Sequence, residues 1–348
     1  MHYLRLLLYP FSIIYGAIVF VRNKAYDTGI FKSKRYPIPV ICIGNLAVGG
    51  AGKSPMAEYI IRLLKNERRL AVLSRGYGRK SRGFRFVEEG DLPEFSGDEP
   101  LQFKRKFKDI TIAVSEKRVI GIDILAPNHD VIILDDAFQH RAVDAGINLL
   151  LFEYSRLNEP FIVFPAGNLR EPFAGRKRAQ VIVITKTPST LTMQERERVI
   201  ERIRPFNHQK VFFSFLDYGN LIPVFDRTES LALGELCSET VIYLLSGIAN
   251  PRPLVGKLES IFRNIKHHEY PDHHPFSIKN ITKLVDDFNS GAGTKKIIIT
   301  TEKDAQRLHA PGLKELLNNF PVYYLPVAAR IHPPDADRFD NLIKEYVS

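Results

Sequence analysis

Short, mainly apolar runs recur along the chain at 40–43, 70–74, 110–114, 131–134, 147–152 and 181–184. Each is rich in Val, Ile or Leu and stops at a Gly, Ser, Asp, Glu or Thr, the pattern of strands buried on both faces. Between them, at 56–65, 101–107, 116–125 and 193–203, apolar residues recur at helical spacing. Strand and helix in alternation predict a mostly parallel sheet with helices on both faces. Residues 211–216 and 221–225 flank a Tyr218-Gly219-Asn220 turn and predict a two-stranded β-ribbon. Past it the rhythm resumes at 241–245, 297–301 and 322–325, with a last helix over 335–346, so a second, smaller α/β domain is expected. The predicted division is 1–25 (apolar helix), 26–208 (large α/β domain), 209–228 (ribbon) and 229–348 (small domain).

The run at 6–21 follows a different pattern. It is uncharged and apolar on every helical face, with Arg5 before it and Arg22 and Lys24 after it. It falls short of the roughly 20 residues that an upright membrane span requires, and Pro10 is expected to kink or break a helix through it. A buried core helix and a helix lodged in a membrane surface are the two alternatives. The basic flanks and the tyrosines favour the second. No small-x-small cleavage site follows, which disfavours a signal peptide.

Composition narrows the field modestly. A chain of 348 residues with 45% hydrophobic and 25% charged residues is an ordinary globular protein with room for two domains. Its 49 Lys+Arg against 39 Asp+Glu leave +10, which points to anionic ligands or an anionic surface. Cys42 and Cys237 are its two cysteines, too few for a disulfide framework or a cysteine zinc site, and they fit a reducing compartment.

The first strand runs into Gly44-Asn45-Leu46-Ala47-Val48-Gly49-Gly50-Ala51-Gly52-Lys53-Ser54-Pro55 and then a helix, the layout of a P-loop. In such a loop backbone N–H groups close around phosphate oxygens, the lysine meets the β- and γ-phosphates, and the hydroxyl ligates Mg²⁺. Gly49, Gly50, Ala51, Gly52, Lys53, Ser54 and Pro55 are therefore the expected ATP-binding residues. Ala47 is a departure, since glycine is usual there. The strand at 131–134 ends in Asp135-Asp136, the Walker B placement for a carboxylate that faces the P-loop and Mg²⁺. Asp98-Glu99 stand at a helix start, either as capping carboxylates or as a base and a metal partner. The basic loop 75–85 reads equally as a solvated loop or an anion contact. His267, His268, His273 and His274, with Glu269 and Asp272, invite a metal reading. A more economical role has Asp272-His273 reaching across an interdomain cleft to orient a catalytic carboxylate.

Taken together, GNLAVGGAGKSP at 44–55, SRGYGRK at 74–80, GDEP at 97–100, LDDAFQHR at 134–141, PAGNLREP at 165–172, ITK at 184–186, SGIANP at 246–251, PDHHPF at 271–276 and TTEKDAQRL at 300–308 resemble the tetraacyldisaccharide 4′-kinases of lipid A biosynthesis. Small departures are Ala137 for a common Gly, Ala47 for Ser or Thr, and Ser54 for Thr, which keeps the hydroxyl. The resemblance implies a P-loop NTPase-type, mostly parallel sheet domain plus a smaller α/β domain joined by a two-stranded β-ribbon. It further implies transfer of the ATP γ-phosphoryl group, with Mg²⁺, to the 4′-hydroxyl of a tetraacylated glucosamine disaccharide 1-phosphate. The place implied is the cytoplasmic face of the bacterial inner membrane, with the N-terminal helix at the membrane surface and neither nucleic acid nor an obligate protein partner.

On that reading Asp98 is the expected base, with His273 paired to it. Lys53 and Asp136 complete the catalytic set, while Ser54, Asp135 and Glu99 form the metal set. Arg75, Arg118, Gln139, His140 and Arg170 are expected to meet the substrate. Two other classes compete: a P-loop ATPase or small-metabolite kinase with no lipid substrate, and a nucleotide-switch or nucleic-acid module working through loop 75–85, whose binding would fall steeply with salt.

Overall fold

The computed structural model describes every residue except 1–4, 6, 226–228 and 334. The start of the expected N-terminal helix and the end of the expected ribbon thus lie outside the described residues. The central strands are β1 (Val40–Asn45), β2 (Leu70–Ser74), β3 (Thr111–Val114), β4 (Val131–Asp135), β5 (Ile147–Glu153), β6 (Val181–Thr185) and β7 (Lys210–Tyr218). They form one parallel array in the order β7-β6-β5-β1-β4-β2-β3, closed by an antiparallel strand at each end. Their side chains alternate between two cores. Ile41 and Ile43 face helix α2 (Lys53–Leu64), whose Met56, Ile60, Ile61 and Leu64 are wholly buried, whereas Val40 and Cys42 face the opposite layer. That layer includes Ile122 and Leu125 of α4 (Arg118–Leu125) and Val199 and Ile203 of α5 (Met193–Ile203). Helix α3 (Asp98–Lys106) precedes β3.

The smaller sheet has β8 (Ile222–Pro223), β9 (Val241–Ser246), β10 (Asn264–Glu269), β11 (Lys296–Thr301) and β12 (Val322–Leu325), in the order β8-β12-β11-β9-β10. Helices α6 (Arg252–Glu259), α7 (Ile278–Ser290) and α8 (Glu302–Leu308) cover it.

Two expectations about the connection need correction. Segments 211–216 and 221–225 do not pair with one another. Strand β7 adds to β6 and also pairs antiparallel with β13 (Val327–Ile331), while β8 joins β12 of the small sheet. The pair that spans the two units is therefore β7/β13, built from strands more than a hundred residues apart, a non-local pairing that no turn signal announces. The small unit also does not run to residue 348. Strand β13 and helix α9 (Ala336–Val347) return to the large one, because Phe339, Ile343 and Val347 complete the core around α2. Phe339 meets the rings of Tyr59 and Phe212 edge-on at 5.6 and 5.1 Å, and Tyr346 Oη donates to the Val40 carbonyl at 3.1 Å.

Helix α1 (Tyr9–Asp27) is continuous and outlasts the apolar run. Pro10 does not break it, since it sits in the first turn where its missing N–H has no partner to lose. Only Ser12 and Val19 are buried, while Phe11, Ile13, Ile14, Ile18, Phe20 and Val21 lie 59–65% exposed. This is a surface helix and not a core helix. Among the described residues no helix is long and apolar enough to cross a membrane.

Candidate active site

The turn after β1 folds as a phosphate cradle. Gly49 and Gly52 take left-handed backbone at φ 105° and 79°, where an L side chain would be strained. Ala47 needs no such freedom: it keeps a negative φ and forms an isolated antiparallel bridge with Leu169, so alanine is tolerated where glycine is usual. Val48 N–H donates to the Asn168 carbonyl and Arg156 Nη1 to the Val48 carbonyl, at 2.8 and 2.7 Å. The loop is thereby clasped from both sides before any ligand arrives. Lys53 leads into α2 with its ammonium 3.3 Å from Asn45 Oδ1 and 3.7 Å from Asp136.

Asp135 ends β4 wholly buried, with Ser74 Oγ donating to Oδ2 at 3.2 Å and no hydrogen-bond partner for Oδ1. Burial, followed by the nearby charges of Glu99 and Asp136, pushes its pKa well up. An orphaned, destabilised carboxylate beside a phosphate cradle suits a divalent cation. Among the described residues no group of three His, Cys, Asp or Glu could hold a metal ion. Asp136 adopts φ 46° and accepts from Arg170 at 2.9 and 3.0 Å. Burial opposes its ionisation, but the Lys53 and Arg170 charges prevail and hold its pKa below the usual carboxylate value.

The second half of the site comes from the small unit. Asp98, the first residue of α3, is buried, and three nitrogens of two side chains converge on its Oδ2: His273 Nδ1 at 3.0 Å, Arg307 Nε at 3.0 Å and Arg307 Nη2 at 2.9 Å. Burial alone would raise the Asp98 pKa, yet the His273 hydrogen bond and the Arg307 and Lys303 charges outweigh it and keep it low. Lys303 Nζ lies 3.0 Å from His273 Nε2 and 3.3 Å from Glu99. An ammonium can only donate, so Nε2 accepts and Nδ1–H donates to Asp98. His273 occupies left-handed backbone at φ 57° and meets the Tyr77 ring from loop 75–85 at 4.9 Å.

The remaining histidines diverge. His267 bonds Ser246, His268 faces Asp287 and His274 bonds Asn280, so they make no common centre.

Of the residues expected at the substrate, Arg170 and Gln139 are tied into the P-loop side of the site and Arg118 departs from the expectation. Gln139 donates to the Asn45 carbonyl and to Glu171 at 2.9 and 3.0 Å, and Arg170 holds Asp136. His140 is half-buried, with burial and then the charges of Arg118, Arg22 and Arg75 pulling its pKa down to about 4. Arg75 is exposed at the end of β2. Arg118 is 2% exposed and donates to the carbonyls of Ser115 and Asp135 at 2.6 and 3.4 Å, so it braces the end of β4 from behind and does not present itself to a ligand. Arginine in a charge-rich motif gave no hint of burial; the packing of α4 decides it.

Sequence reasoning assigned no role to Lys303, Asp304 and Arg307. Their signal was available, because a strand ending in Thr300-Thr301 and a polar helix start repeat the logic that singled out Asp98.

The chain matches the sequence profile of the family described as Tetraacyldisaccharide-1-P 4′-kinase over residues 4–348. It is 42% identical over 353 residues to the tetraacyldisaccharide 4′-kinase of Bacteroides thetaiotaomicron, covering 98% of this chain and 92% of that one. With the kinase of the same name from Flavobacterium psychrophilum the identity is 43% over 352 residues, covering 100% and 98%. Its structure superposes on the Aquifex aeolicus protein LpxK, crystallised in complex with ATP, with a TM-score of 0.73 at 29% identity over 99% of this chain and 100% of that one.

Proposed function

Since the chain belongs to the tetraacyldisaccharide-1-P 4′-kinase family and is a phosphotransferase with an alcohol acceptor, we propose that its acceptor is the 4′-hydroxyl of a tetraacylated glucosamine disaccharide 1-phosphate, met at the cytoplasmic face of the bacterial inner membrane. The observation that carries this reading is the convergence on Asp98, where a carboxylate of the P-loop unit is gripped by His273 and Arg307 of the small unit. Such a cleft brings donor and acceptor together from opposite sides.

Lys53 and the amides of Gly49, Gly50, Ala51, Gly52 and Ser54 hold the nucleotide phosphates, and Pro55 starts the helix behind them. Ser54, Asp135 and Glu99 are the residues that would hold Mg²⁺, which when bound neutralises charge on the β- and γ-phosphate oxygens. Because His273 and Arg307 occupy Asp98 Oδ2, the acceptor hydroxyl is met by Oδ1. Asp98 orients that hydroxyl and takes its proton late, as a weak base does. Arg170 and Asp136 keep Lys53 aimed, while Gln139, His140 and Arg75 line the approach to the sugar.

Helix α1, apolar outward and flanked by basic residues, supports a monotopic seat on the bilayer that would bring an acylated acceptor to the cleft. The test is transfer of label from γ-labelled ATP into extracted lipid, with the acylated disaccharide 1-phosphate beside its deacylated counterpart. Lipid-dependent labelling with a clear preference for the acylated acceptor is expected. ATP consumption that ignores both would reject the reading.

A further inference from the structure

Helices α3 and α8 meet across the cleft, α8 turning residues 303 and 307, one turn apart, to the start of α3 and residues 302 and 306, on its neighbouring face, to the end of α3. At the catalytic end Asp98 pairs with Arg307 and Glu99 with Lys303. At the far end Arg105 Nη1 donates to Gln306 Oε1 at 2.7 Å and Lys106 Nζ lies 2.8 Å from Glu302. Lys106 makes a second ion pair, 2.7 Å from Glu58, a wholly buried carboxylate of α2 that also holds Arg62 and Gln102 at 2.7 and 2.9 Å. One ammonium therefore ties the helix that begins with Lys53 and Ser54 to the helix that carries Lys303 and Arg307.

Nothing in the chemistry of phosphoryl transfer requires this second cluster. A buried ion pair is weak evidence for stability, because apolar residues of similar volume often do as well or better. What the cluster supplies is a second fixed point. With Asp98–Arg307 and Glu99–Lys303 alone, α8 is held along one face and can roll about its own axis; with Lys106–Glu302 added on the neighbouring face, its angle is set. Side chains reach about 5–6 Å from a helix axis, so a roll of about 10° moves the groups on the catalytic face by about 1 Å. A misplacement of about 1 Å can cost about a hundredfold in rate.

We propose that Lys106 is a positioning residue for phosphoryl transfer: held between Glu58 and Glu302, it sets the angle at which the small unit delivers Lys303, Arg307 and His273 to Asp98. The proposal rests on the reading of Asp98 as the acceptor-side carboxylate. It assigns Lys106 no contact with nucleotide, metal or acceptor.

The test uses the full-length chain. Lys106→Met is expected to lower kcat about ten- to a hundredfold while KM for ATP stays within about threefold, the split that marks a loss confined to the transition state. Lys106→Arg, which can keep both ion pairs, is expected to restore kcat to within about threefold of the parent. A second readout needs no lipid. In ligand-free protein the imidazole NMR signals of His273 are expected to move in Lys106→Met, because the Lys303 and Asp98 contacts of its ring shift together. If Lys106→Met does not fold, Glu302→Gln, which keeps the side chain's shape without its charge, is read by the same two measurements.

A folded variant with parental kcat and unmoved His273 signals overturns the proposal, as does a loss of melting temperature with neither change. Moved His273 signals in Lys106→Met, together with parental kcat in both Lys106→Met and Asp98→Asn, would leave the clamp standing and reject the role given to Asp98.

Discussion

Replacing Asp98 with Asn keeps the side chain's shape and removes the charge on which the interdomain pair is built. Three contacts of 2.9–3.0 Å converge on its Oδ2, from His273 Nδ1 and from Arg307 Nε and Nη2. Unpairing one partner of a buried ion pair costs about 3–5 kcal/mol. Arg307 still keeps Asp304 at 2.8 Å and the His274 carbonyl at 3.1 Å, so the lower end of that range applies. A positioned general base contributes about 10²–10⁴ in rate, equivalent to about 3–5 kcal/mol of barrier. Asp98 is held below the ordinary carboxylate range, which makes it a weak base and again favours the lower end. The expectation for Asp98→Asn is therefore a fall of about 10²–10³ in kcat, a lower melting temperature, and ATP affinity within about threefold of the parent. Initial rates with γ-labelled ATP and the acylated acceptor in mixed micelles give kcat, and calorimetry without acceptor gives ATP affinity. A parental kcat alongside weakened ATP binding would move Asp98 to the nucleotide side and refute the reasoning. Because the folded pKa of Asp98 is depressed, its stabilising contribution is present above its unfolded value of about 4 and is lost as pH falls through the lower folded value.

Asp135 behaves oppositely. Its raised folded pKa means that the ligand-free fold loses stability as pH climbs from about 4 towards that value; Asp135→Asn should flatten this slope in denaturant titrations while lowering kcat about a hundredfold or more, and an unchanged slope would deny the buried charge. Arg156→Ala unclasps the phosphate loop at the Val48 carbonyl and should raise KM for ATP about tenfold with little loss of kcat at saturation, read from steady-state rates. Ile14→Glu combined with Phe20→Glu places charge on the outer face of α1, where both residues are about three-fifths exposed; binding to anionic phospholipid vesicles should fall at least tenfold in co-sedimentation while the melting temperature stays put. Retained vesicle binding in that variant would remove α1 from the membrane account.

Local order was the legible part of this chain. Runs such as 181–184 and 131–134 are too apolar to sit anywhere except a doubly covered sheet, and 193–203 has unmistakable helical spacing, so the parallel array follows from pattern alone. The P-loop was equally plain, since glycines, lysine and hydroxyl act through backbone conformation that the sequence encodes locally. Asp98 and His273 were paired across 175 residues, but from the resemblance and the economy of a cleft, since no periodicity reports such a contact. What escaped was non-local. Strand β13 and helix α9 return to the large unit because Phe339 fits between Tyr59 and Phe212, a packing fact invisible at residue 339 itself. Arg118 and Lys303 show the same limit for charged residues. One is buried as a brace and the other reaches the site, and only the three-dimensional neighbours of α4 and α8 tell them apart.

The acceptor atom decides what this enzyme does. Phosphorus NMR of the lipid product, made with the full-length chain, ATP, Mg²⁺ and the tetraacylated disaccharide 1-phosphate, reports it directly. The prediction is one new phosphomonoester signal whose proton coupling assigns it to the 4′ position, growing at least about a hundredfold more slowly when Asp98→Asn is used. A new signal at any other position, a diphosphate at position 1, or ATP hydrolysis with an unaltered lipid would contradict it.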